Sequence, residues 1–94
     1  MEGTTQRDSD TAGEVTFSSF VLMVGTTALV HLGVAPDPAS GQQKPDLAQA
    51  KQVIDLLGVI REKTTGNLTA DEASLLEHLL YDLRVRYLEA AKTG

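Results

Sequence analysis

The 94-residue chain has three stretches in which apolar residues return every three or four positions, separated by a proline-rich break and a short polar turn. The third is the clearest. Leu76, Leu80, Leu83, Tyr87 and Ala90 repeat at spacings of four, three, four and three, with Leu75, Leu79 and Leu88 widening the stripe, which is the period of one face of an α-helix. Thr69-Ala70-Asp71-Glu72 ahead of it reads as a capping box whose acids sit at the positive end of the helix dipole, so a helix is predicted over about 69–91. In the second stretch Leu47, Ala50, Val53, Ile54, Leu57 and Ile60 form the apolar arc, and Lys51, Gln52, Asp55, Arg61 and Glu62 fill the rest. Asp46 as N-cap with Gln49 three residues on, and a stop at Lys63-Thr64-Thr65, predict a helix over about 46–64. Gly66-Asn67-Leu68 leaves room only for a close reversal, so these two helices form an antiparallel hairpin.

The first stretch is different in kind. Thr16 is a good N-cap, Val15 can pack on Phe20 as a hydrophobic staple, and Gly33 followed by Pro36 closes the helix near Leu32, which predicts a helix over about 16–32. No formally charged residue lies between Val15 and Ala35. Residues 36–45, with three prolines and Gly41, resist regular structure and read as a linker. Residues 1–14 are polar and acidic with almost no apolar side chain and read as a disordered tail, because they cannot bury enough surface to offset their ordering entropy. The expected architecture is all-α, one helical domain over 15–94 behind that tail.

An uncharged helix needs a cover on most of its sides, and one two-helix hairpin cannot supply it. Two readings stay open. In the first, copies of the chain associate through the first helix, with Phe17, Phe20, Val24, Gly25, Leu29 and Gly33 as candidate packing residues; the small Gly25, Gly33 and Ser18 would let backbones approach. In the alternative, 17–35 associates with a membrane, at about the length that spans a bilayer. Ser18, Ser19, Thr26, Thr27 and His31 within the stretch, and the absence of flanking Trp, Tyr, Lys or Arg, count against it. Gly58, inside the second helix, suggests close packing on a neighbour, with the small-residue side of the first helix as the expected partner.

Composition narrows the chemistry. A net charge of −5 disfavours nucleic acid, whose phosphates reward clustered Lys and Arg. With no cysteine, thiolate metal sites and disulfides are excluded, and a reducing, cytoplasmic compartment is the simplest expectation. His31 and His78 are too few for a metal site and read as a half-buried structural residue and a solvent-facing one. The carboxylates Asp55, Asp71, Glu72, Glu77, Asp82 and Glu89 read as helix-surface charge. No nucleophile elbow, phosphate-binding loop or metalloprotease signature is present, so the expectation is no enzyme and no cofactor. A small-ligand binder using His31, Thr26, Thr27 and Asp55 as polar contacts is a third reading.

Several segments together resemble one family: 17–33 ending in Leu32-Gly33, Asp46-Leu47-Ala48-Gln49-Ala50, Ile54-Asp55-Leu56-Leu57, Glu62-Lys63-Thr64-Thr65-Gly66-Asn67-Leu68-Thr69, and Leu83-Arg84-Val85-Arg86-Tyr87. They are similar to the small bacterial family called domain of unknown function 1844, over about 75 residues. The resemblance implies a helical bacterial cytoplasmic protein and brings no catalytic residue with it. Its most specific part is the turn, which makes Glu62, Lys63, Thr64, Gly66 and Asn67 candidates for contact with a protein partner, beside their plain role as turn and cap.

Overall fold

A computed structural model describes residues 14–41 and 43–93. The tail expected over 1–14 therefore lies, apart from Glu14, outside the described residues. Among those described there are three α-helices and no strand: α1 over Phe17–Leu32, α2 over Leu47–Thr64 and α3 over Ala70–Thr93.

Each boundary has a local cause. Thr16 caps α1 by accepting from the Ser19 amide (3.0 Å), and Ser19 Oγ accepts from the Thr16 amide in return (2.9 Å). This box replaces the expected staple, since Val15 is 92% exposed and packs on nothing substantial. At the other end the Gly33 amide donates to Val30 O (3.0 Å) and the Val34 amide to Leu29 O (3.1 Å), with Gly33 at φ 82°. This is a Schellman close, and it needs a residue that tolerates the left-handed region. The Asp46 carboxylate accepts from the Gln49 amide (3.2 Å) to start α2. The Asp46 amide donates to His31 O (2.7 Å), so the N-cap of α2 satisfies one of the carbonyls that the end of α1 leaves unpaired. Thr69 and Glu72 form the predicted capping box of α3, at 2.9 and 3.1 Å.

The three helices share one spacing. Val21, Ala28 and Leu32 from α1, Ala50, Ile54 and Leu57 from α2, and Leu76, Leu80 and Leu83 from α3 are the buried hydrophobic residues. With the buried Gly25 included, every helix repeats intervals of four and three, the interval that keeps a seam turned toward neighbouring helices. Arg61 pairs with Glu77 and Gly58 lies against Arg84, so positions advance on α3 as they recede on α2 and the pair is antiparallel. Leu75, Leu79, Tyr87 and Ala90 flank the core as the pattern implied, whereas Leu88 points outward. Among the described residues no polar or charged side chain is buried in the core.

Candidate functional site

The outward face of α1 is the feature that the fold leaves without an internal explanation. At about 100° per residue, Ser19, Met23, Thr26 and Val30 lie opposite the buried Val21, Ala28 and Leu32, with Phe20, Leu22 and Thr27 at the borders. Met23 is 61% exposed and Leu22 51%, and Phe20, Thr26 and Thr27 are also exposed. None carries charge. Their polar atoms are moreover already occupied: Thr26 Oγ1 donates to Leu22 O (2.9 Å), Thr27 Oγ1 to Met23 O (3.1 Å), and Ser19 Oγ to Thr16 O (3.0 Å). A hydroxyl turned back into its own helix loses no partner when water is excluded, so covering this face carries little of the usual desolvation cost.

The candidate packing residues divide between this face and the interior. Phe20 lies on the outward face, while Phe17, Val24 and Leu29 pack against the chain's own core. Gly25 is buried against α3, where an added Cβ would stand 2.8 Å from Leu79 Cδ2. Gly33 is the helix close, with Pro45 Cγ 2.7 Å from where its Cβ would be. Gly58 meets α3, with Arg84 Nη2 at 3.3 Å from its Cβ position, rather than the expected small-residue side of α1. Leu22 and Met23, the most exposed large residues of α1, were not singled out by the pattern, because a uniformly apolar sequence does not disclose which side faces in.

The candidate turn has an almost complete structural account. Thr64 and Thr65 donate from their hydroxyls to Ile60 O (2.7 Å) and Arg61 O (2.8 Å), which satisfies carbonyls at the end of α2. Thr65 at φ −54°, ψ 128°, Gly66 at φ 89° and the Asn67 amide donating to Thr64 O (2.9 Å) make a turn of type II form. Glu62 and Lys63 are exposed and take no part in these bonds. Beside the turn is an open groove of about 390 Å³, floored by Leu68, Ala73 and Leu76 and edged by Glu62 and the Arg61–Glu77 ion pair.

The polar groups weighed for a ligand do not converge. Thr26 and Thr27 face outward from α1. His31 is half-buried beside a groove formed with Asp37, Ser40, Lys44 and Asp46. Asp55 is on the exposed side of α2, 2.8 Å from Lys51, and the hydrogen bond it accepts holds the Lys51 ammonium above its usual range. His78 is exposed, with Nδ1 3.4 Å from Ser74 Oγ. Among the described residues no three His, Asp or Glu side chains gather where one cation could be held.

Among the described residues no helix is long and apolar enough to cross a membrane. The nineteen-residue apolar run is not one helix: α1 has 16 residues, against about 20 for a bilayer core. The Schellman close at Gly33 turns Val34 and Ala35 away from its axis.

No curated protein and no solved structure matches the chain. The family model described as Domain of unknown function (DUF1844) matches residues 14–89, from just ahead of the α1 cap into the last turns of α3, and the chain belongs to that family.

Proposed function

We propose that the chain is a non-enzymatic protein-interaction module that acts by self-association, with the outward face of α1 as its contact surface. The observation that carries this reading is the pairing of apolar exposure with satisfied hydroxyls. Phe20, Leu22 and Met23 stand out in solvent, while Ser19, Thr26 and Thr27 between them have already found backbone acceptors. A face meant to stay wet gains nothing from losing all charge, whereas one that is covered loses only the hydration of apolar surface, which favours association. A partner copy is the economical cover for a chain of 10.0 kDa, because small domains bury a modest share of their surface alone. The scattered positions of His31, His78, Asp55, Thr26 and Thr27 support the non-enzymatic part, and a chain without cysteine fits a reducing, cytoplasmic setting. Size-exclusion chromatography with light scattering on the detergent-free chain tests the proposal. A discrete oligomer that Met23→Glu dissociates, with helicity retained by circular dichroism, is the expected result; a monomer at micromolar concentration removes the reading.

A further inference from the structure

We infer that the groove between α2 and α3, on the side of the hairpin away from α1, docks an amphipathic helix of another protein that carries a carboxylate between two apolar anchors. This surface is separate from the outward face of α1, so it and the self-association reading stand or fall independently.

Two sockets lie along the groove. One is the hollow of about 390 Å³ beside the turn, where Arg61, Thr65, Ala73 and Leu76 are among the lining residues. The other, of about 230 Å³, is lined by Lys51, Ile54, Asp55, Arg84, Tyr87 and Leu88. At about 100° per residue, the residues that line the two sockets fall within about 120° of arc on each helix. Leu79, which meets Gly25 of α1, lies about 140° from Arg84 around α3. Both sockets therefore open along one seam, and helical rise sets their centres about 15 Å apart.

Arg84 stands between them. Its guanidinium reaches across to α2 at Gly58, where Nη2 is 3.3 Å from the position of an added Cβ. A glycine inside a helix is unfavourable by propensity, and here it leaves bare backbone beneath the guanidinium. The other cations of the groove are matched within it, Lys51 by Asp55 and Arg61 by Glu77. No carboxylate among the described residues pairs with Arg84. Glu62, at the edge of the larger socket, calls for a neutral or basic neighbour.

These features select the occupant. Both walls are helices whose backbone groups are bonded internally, so an extended peptide would find no ladder to join, whereas a helix arrives with its own backbone satisfied. Three helical turns span about 16 Å, so apolar anchors about eleven positions apart reach both sockets. A carboxylate about four or seven positions after the first anchor lies on the same face, over Arg84. The α1 helix of a second copy does not meet this description, because Phe17–Leu32 contains no carboxylate.

The test uses the intact chain and a fluorescein-labelled alanine–glutamine helical peptide with two leucines about eleven positions apart and glutamates about four and seven positions after the first. Fluorescence anisotropy should show saturable binding at micromolar chain. Arg84→Ala, or glutamine in place of both peptide glutamates, should weaken it about ten-fold. Leu88→Glu, at a position 61% exposed beside the smaller socket, should abolish it with helicity retained by circular dichroism. Met23→Glu on α1 should leave it unchanged. Absence of saturable binding, or equal binding by the parent chain, Arg84→Ala and Leu88→Glu, overturns the inference. Loss of binding in Met23→Glu also overturns it, by moving the site to α1. An oligomer that Arg84→Ala dissociates in light scattering would give the groove to a second copy and overturn it as well.

Discussion

Adding one methyl group at Gly25 sets two quantities of known size against each other. In an exposed helix, Gly→Ala gains about 1 kcal/mol because the backbone loses less entropy on folding. At Gly25 the new Cβ would stand 2.8 Å from Leu79 Cδ2, 3.1 Å from Cδ1 and 3.3 Å from Cγ. The end of the leucine and its branch point are all too close, so the isobutyl group must retreat by several tenths of an ångström or change rotamer. Overpacking of this kind costs about 1–3 kcal/mol, which outweighs the propensity gain and leaves Gly25→Ala destabilising by about 1 kcal/mol. Urea unfolding at fixed protein concentration measures it, and a double-mutant cycle with Leu79→Ala isolates the cause. Leu79→Ala removes the clash, so Gly25→Ala should become neutral or stabilising in that background. Light scattering should show the same mass for Gly25→Ala as for the parent, because Gly25 faces α3 rather than another copy. A stabilised Gly25→Ala, a coupling to position 79 within error of zero, or a changed mass would each refute this assignment.

Other substitutions follow from the same packing. Leu57→Ala empties a fully buried site between the helices and should cost about 2–5 kcal/mol, seen as a fall in the urea midpoint with little change in m. Gly33→Ala meets both a φ of 82° and Pro45 Cγ at 2.7 Å, so it should cost more than the roughly 1 kcal/mol of an unhindered left-handed glycine and should lower Tm accordingly. The Lys51 ammonium is held above its usual range by Asp55, so whatever the pair contributes is fully present below the unfolded value of 10.5 and lost only as pH rises beyond it. The stability difference between the parent chain and Lys51→Met should therefore stay constant from pH 7 to 9, and a difference that changes within that window contradicts the assignment.

The helices were legible because their signals are local and redundant. Capping residues Thr16, Asp46 and Thr69, the left-handed Gly33 and a four–three repeat each act within one turn of chain. The antiparallel hairpin followed from a turn too short for any other path. What sequence could not assign was the facing of α1. In α2 and α3 polar residues mark the wet side, but in α1 every side is apolar or hydroxylated, so Leu22 and Met23 on the outside look no different from Val21 and Ala28 within. The glycines were misleading for a related reason: a small residue announces a close approach without saying to what. Gly25 and Gly58 both turned out to accommodate α3, through Leu79 and Arg84. At the turn, the distinctive run from Glu62 to Leu68 is explained largely by hydroxyls and amides closing α2, leaving Glu62 and Lys63 as its exposed residues without such a role.

The central claim is that the neutral outer face of α1 is covered by another copy of the chain. Sedimentation equilibrium of the detergent-free protein at micromolar concentration tests it most directly. A mass of two chains of 10.0 kDa is expected, reduced to one by Met23→Glu with helicity intact. A single chain that remains monomeric and folded as concentration is raised would contradict it.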